Sequence, residues 1–417
     1  MLRTNILFHK EPERFAAPRI TAGERRRRAA RAGTAVAIFG AILASIVLGG
    51  SPAYAAPRVA CGSTLTTSVT LTADLTCPSG KGLVLGSNVT LDLGGHKLVG
   101  PGASGLGVQM STTSTGGNTI RNGTIQNWGT GILLEPWTEY GTASSISDLA
   151  LLKAPVTYRY SNGIKTLTMT RVTAVDSAIS SDTAGDIAIV QSRLTRSPVN
   201  VFFASATITK TYLSQSSVDS SAMGEIVIDG SYLNGQGVSA LGSVSETRIT
   251  IKNSTVKNYK QPITGFWGAV TLTKNTFTDM PNGVLGDVAY NIGIDATSYI
   301  VGNTFTRSGV ALRGNVPMIV EKNTFTQGKI GVEFTRIPPF EGEPPFTASD
   351  SRAVGNTFSA NTGSGITTKL RGLKVGSNTA TKNGGYGIYA PGAVDLGRNI
   401  ASGNTLGQCV GVVCTAK

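Results

Sequence analysis

Ile187-Ala188-Ile189-Val190-Gln191-Ser192-Arg193-Leu194 reads as apolar, any, apolar, three variable positions, a spacer and a closing apolar residue. The same unit returns as Ile226-Val227-Ile228-Asp229-Gly230-Ser231-Tyr232-Leu233 and as Ile249-Thr250-Ile251-Lys252-Asn253-Ser254-Thr255-Val256. It returns again as Val270-Thr271-Leu272-Thr273-Lys274-Asn275-Thr276-Phe277. Alternation over so few residues is the period of a half-buried strand. The closing apolar residue falls at 172, 194, 213, 233, 256, 277, 305, 325, 358, 380 and 406, a mean step of about 23 residues. Two earlier copies start at Leu91 and Asn118. A sustained period of this length means a solenoid. No unit holds an amphipathic stretch of helical length, which excludes a leucine-rich repeat with a helical return. The physical solution is a parallel β-helix, in which no coil is stable alone and each pairs with the next.

The composition agrees. Gly supplies 52 of 417 residues, charged residues only 15% and aromatics 6%. Such a chain is too apolar to be disordered and too rich in Gly to be mostly helical. Its Gly has no triplet period, so it is not collagen-like. Asn253, Asn275, Asn303, Asn323, Asn356, Asn378 and Asn404 recur at or just before the turn into the closing residue. Asn tolerates left-handed backbone and bonds nearby main chain. Stacked Asn side chains also bond one another, so these are read as folding residues. The longest step, of 33 residues, contains Ile337-Pro338-Pro339-Phe340-Glu341-Gly342-Glu343-Pro344-Pro345-Phe346. Four prolines cannot join a ladder, so a Pro-rich loop is expected over 336–350.

Residues 1–31 are basic, 35–48 carry no charge, and Ala53-Tyr54-Ala55 follows. That is the order of a secretory signal peptide over 1–55, with a core too short to span a bilayer. A β-helix domain over 56–417 and a secreted, extracellular product follow. The leader holds 9 of the 37 basic and 3 of the 24 acidic residues, leaving the rest at +7. No basic run resembles a nucleic-acid patch. Cys61, Cys77, Cys409 and Cys414 allow three pairings. An elongated solenoid with two cysteines at each end favours Cys61–Cys77 and Cys409–Cys414.

On these units, and on Gly86-Ser87-Asn88-Val89-Thr90-Leu91-Asp92-Leu93-Gly94-Gly95-His96-Lys97-Leu98, the chain resembles right-handed parallel β-helix repeat proteins of the pectin-lyase-like superfamily, exported bacterial type. The likeness covers roughly residues 60–410. It implies an all-β, single-domain, right-handed parallel β-helix of about twelve coils. It does not settle an activity, since such folds carry polysaccharide lyases, glycoside hydrolases, epimerases, adhesins and members without chemistry.

One histidine, His96, follows the leader. It sits in a tight turn, so histidine-based nucleophiles and multi-histidine metal sites are hard to build. Two chemistries survive: calcium-assisted β-elimination on an acidic polysaccharide, and hydrolysis by paired carboxylates. The chain lacks the Asp-Asp, Gly-His-Gly and Arg-Ile-Lys motifs of the catalytic members. The remaining candidates for catalysis are Asp176, Asp182, Asp186, Arg193, Arg196 and Asp219, the first three also as a calcium site. Trp128, Trp137, Tyr140, Tyr158 and Tyr160 are candidates for stacking on sugar faces. The leading expectation is a monomeric, non-catalytic scaffold that binds polysaccharide or cell envelope. A lyase or hydrolase, or a purely structural surface protein, are the alternatives. No cofactor other than calcium is called for.

Overall fold

The computed structural model describes residues 59–416, apart from 111–116, 136–142, 160–165, 184, 222–223, 237–240, 244–246, 261–262, 266–268, 281–283, 289–296, 315–316 and 337–347. Residues 1–58 and the core of the Pro-rich loop therefore lie outside the described residues. Short parallel strands wind around three faces. The first face is a ladder of ten strands from Thr64–Leu65 to Thr264–Gly265, followed by a ladder of six from Val284–Val288 to Gly407–Val410. The second face includes Asp186–Val190, Ala206–Thr209 and Gly224–Asp229. The third includes Arg193–Thr195, Tyr212–Ser214 and Tyr232–Asn234. Among the described residues no helix is long and apolar enough to cross a membrane.

The repeat unit maps onto this coil. Ile187, Ala206, Ile226, Ile249 and Val270 stand in register on the second face. Leu194, Leu213, Leu233, Val256, Phe277, Phe305, Phe325 and Phe358 stand in register on the third. The solenoid of about twelve turns extends at its start into a rung where Val69 and Leu75 pair with Leu91 and Leu98. That rung is one residue shorter than the unit. Inside, the rings of Phe277, Phe305, Phe325 and Phe358 stack in sequence at 4.9, 4.6 and 5.0 Å. Each is fully buried, worth about 2–3 kcal/mol of transfer free energy per ring.

The corner between the second and third faces explains the recurrent Asn. Arg171, Gln191, Lys210, Gly230, Asn253, Lys274, Gly302, Lys322, Gly355, Ser377 and Arg398 hold it, one per coil, all in left-handed backbone. From Gln191 on, the next residue turns a polar side chain inward: Ser192, Thr211, Ser231, Ser254, Asn275, Asn303, Asn323, Asn356, Asn378 and Asn399. Each side-chain oxygen accepts the backbone N–H of the residue one coil earlier. A buried corner amide is thereby satisfied at every turn. Two residues of the expected Asn set belong elsewhere. Asn253 is one position early and outside, where it donates to Asp229. Asn404 tops a separate column, Asn361–Asn383–Asn404, at the corner between the third and first faces. Disulfides join Cys61 to Cys77 and Cys409 to Cys414, with Cα atoms 5.7 and 6.1 Å apart.

Candidate functional site

The six residues read as a catalytic or calcium cluster do not converge. Asp176 and Arg196 are neighbours at the corner between the third and first faces, joined by bonds of 2.6 and 2.9 Å. The guanidinium holds the Asp176 carboxyl below the usual carboxylate range. Asp182 is on the first face, held at 2.9 Å by Arg159, which also bonds Glu135 at 2.7 Å. Asp186 opens the second face and accepts the Ser205 N–H at 2.8 Å. Arg193 lies on the third face, 4.3 Å from the centre of the Tyr212 ring. Among the described residues no three His, Cys, Asp or Glu side chains are placed to hold a metal ion. The expected calcium triad is corrected on this ground: adjacency within one coil spreads Asp176, Asp182 and Asp186 over a corner and two faces.

Asp219 is different. It is on the first face, in register with Asn200 and Gly242. Burial pushes its carboxyl above the usual range, against a hydrogen bond from Ser217. A carboxyl raised on folding binds protons more tightly in the folded state. Its stability contribution is therefore best below the unfolded value, near 4, and declines as pH rises through the folded value. Asn has no such penalty. Asp219→Asn should match the parent near pH 3.5 and gain at pH 7, by less than about 1 kcal/mol because water still reaches the group. Denaturation midpoints at the two pH values check this, and equal differences at both would refute it.

The aromatic set is also corrected. Trp128 is 2% exposed and donates its indole N–H to the Leu98 carbonyl at 3.3 Å. It fills the space left by Gly100, Gly105 and Gly107, where an added Cβ would meet the ring at 2.3 to 3.3 Å. Tyr158 points inward and is 1% exposed. Neither ring can stack on a sugar from solvent. Trp137, Tyr140 and Tyr160 lie outside the described residues.

A cleft that the sequence reading missed lies on the C-terminal half of the first face. It has a volume of about 810 Å³. Phe334 and Ala348, both buried, contribute to its lining, with Thr335, Thr367 and Thr368. Arg336, Lys369 and Arg371 line it with three cations, and Glu333 is the one carboxylate among its described lining residues. Strand register aligns Glu333, Thr367 and Tyr389 in three successive coils. The Tyr386 and Tyr389 rings, 5.1 Å apart, form a half-buried shelf beside this row. The Thr368 hydroxyl accepts the Leu370 N–H at 2.9 Å and fixes the turn carrying Lys369 and Arg371. Arg371 lies along Gly392 of the next coil, whose Cβ would come within 3.1 Å of the Arg371 Cγ. Arg336 and Lys369 are 33 residues apart, and only the coil register brings them together. That register was the one signal in the sequence that could have found them.

No curated protein matches the chain. Among solved structures, tailspike protein 3 of bacteriophage CBA120 is similar at 12% identity and a TM-score of 0.48, over 82% of this chain and 57% of that one. The catalytic unit of a thermostable alpha-1,3-glucanase from Streptomyces thermodiastaticus is similar at 15% identity and a TM-score of 0.33, over 74% of this chain and 65% of that one. The chain thus spans less than two thirds of either. Residues 106–406 match the family model described as right handed beta helix region, and with that match over most of its length the chain belongs to this family.

Proposed function

We propose that the protein is an extracellular binding protein whose cleft takes an anionic polysaccharide. The observation that carries this reading is the lining of the cleft: three cations against one carboxylate, over hydroxyl groups and beside two tyrosines. Guanidinium groups bind carboxylates in bidentate fashion, threonine hydroxyls suit sugar hydroxyls, and tyrosine ring faces suit the apolar face of a pyranose. The leader at 1–55 supports an extracellular setting. Polygalacturonate and neutral dextran are suitable probes. Replacing Arg336, Lys369 and Arg371 together by Gln should weaken polygalacturonate binding at least tenfold, on the order of 0.5–1 kcal/mol for each partly exposed charge, and leave dextran unaffected. Unchanged affinity in the folded variant would remove the reading.

A second reading, cleavage of the same polymer, is favoured by Asp219 alone. Burial raises its carboxyl above the usual range, the direction that suits a general acid. New reducing ends, or absorbance from unsaturated uronides, that disappear in Asp219→Asn would favour it over simple binding.

A further inference from the structure

The corner between the second and third faces carries a row of cations that the cleft does not use. Lys210, Lys274 and Lys322 occupy equivalent positions on it, each with left-handed backbone, so their side chains leave the solenoid from the same point of the coil. Lys274 and Lys322 are two coils apart. The Phe277, Phe305 and Phe325 rings of those same coils stack at 4.9 and 4.6 Å, which sets the two lysines about 10 Å apart along the axis. Lys210 lies three coils before Lys274.

A glycine follows each lysine on the next coil. A Cβ on Gly230, Gly302 or Gly355 would lie 3.7, 3.7 or 3.8 Å from the Cγ of Lys210, Lys274 or Lys322. Each aliphatic stem therefore leans along the axis over a bare backbone, with its ammonium group in water. Several other surface cations are neutralised. Arg171 is paired with Asp148, Arg196 with Asp176 and Arg307 with Asp279. The carboxylates beside the lysine row are already engaged. Asp229 is taken by Lys252 and Asn253, and Glu321 by Arg352. Among the described residues no carboxylate pairs with Lys210, Lys274 or Lys322.

We infer that this corner is a track for a linear anionic polysaccharide lying parallel to the solenoid axis. Unpaired ammonium groups on one rigid edge, three coils and then two coils apart, match fixed charges at intervals along an extended polymer. The neighbouring positions of the third face are Thr276, Thr304 and Thr324, in register with one another. They offer hydroxyls beside Lys274 and Lys322, which suits a sugar polymer. The same column carries the stacked Tyr212 and Tyr232 rings beside Lys210, 5.1 Å apart, so single-stranded DNA, whose bases stack on rings, is the competing occupant the test includes. The inference shares with the cleft reading the premise of an anionic polysaccharide, but it rests on different residues.

The test uses the full chain with Lys210, Lys274 and Lys322 all changed to Gln. Gln191 already occupies this corner in the same left-handed conformation, so the fold should tolerate the change. Binding to polygalacturonate is titrated over a range of salt. Loss of three charge contacts should make the plot of log K against log salt shallower by about 2, at roughly 0.7 per contact by analogy with single-stranded polyanions. Affinity at low salt should fall at least tenfold. The cleft variant with Arg336, Lys369 and Arg371 changed to Gln is measured beside it. Loss in the lysine variant with retention in the cleft variant supports the track and removes the cleft. The opposite pattern, or equally tight binding of dextran or of single-stranded DNA, overturns the track.

Discussion

Asn323→Ala should lower the unfolding free energy by about 2–5 kcal/mol, the largest effect expected of a single change that leaves the apolar core intact. Asn323 is 1% exposed. Its Oδ1 accepts the Asn303 backbone N–H at 2.8 Å and the Asn303 side-chain N–H at 3.0 Å. Its Nδ2 donates to the Ile300 carbonyl at 2.7 Å and to Asn356 Oδ1 at 3.0 Å. Alanine would strand two buried donors at once and remove a bond from two acceptors. A missing partner in a dry interior costs far more than the same bond contributes against water. Asn323→Ser should be milder, because Ser231 and Ser254 already serve in this column. There the hydroxyl accepts the amide of the preceding coil and donates to a carbonyl two residues back in its own chain. Chemical denaturation of the three proteins orders them: parent, Ser, Ala. Equal stability of the Ala variant and the parent would show that the column is not a stability element.

This column also shows why part of the molecule could be read from sequence and part could not. Ile187, Ile189 and Leu194 carry the alternation of the second and third faces, because those faces send a large apolar residue inward at nearly every coil. The first face has weaker contrast. Its inward positions include Ser181 and Ser220, and its strands end in connections of varied length, so no fixed spacing marks it. The site suffers more. Asp176, Asp182 and Asp186 look like a cluster within ten residues of chain. Yet a three-sided coil turns through about a third of a revolution between successive strands, so near neighbours in sequence face different ways. Functional neighbours on such a fold are about one coil apart. Glu333 and Thr367, in register on the cleft face, are an example. Trp128 and Tyr158 were misleading for a different reason. Gly100, Gly105 and Gly107 make a seat for Trp128, and Tyr158 stands in register with the buried Leu134 and Ser181.

Phe358→Ala should cost about 3–5 kcal/mol of stability and should also weaken polysaccharide binding, although Phe358 is fully buried and does not line the cleft. The ring ends the Phe stack, 5.0 Å from Phe325, and the next residue in register is Ala380. It also fills the space beside Gly331 and Gly365. A Cβ on Gly331 would come within 2.3 Å of the ring, and one on Gly365 within 2.9 Å of the Phe358 Cβ. These glycines precede the first-face strands Val332–Thr335 and Ile366–Thr368, which carry Glu333, Thr335 and Thr367 into the cleft. Phe358 is thus the packing beneath its floor. In a solenoid each coil is held by its neighbours, so a cavity at this level loosens the two coils that set the spacing of Arg336 and Lys369. Phe277→Ala is the control. It removes the same ring three coils earlier in the Phe stack, away from the cleft, and should cost comparable stability with little change in affinity. Denaturation and polygalacturonate titration on both variants separate general destabilisation from loss of the floor. If both variants bind as tightly as the parent, the cleft does not depend on the stack beneath it, and core and site are not coupled through Phe358.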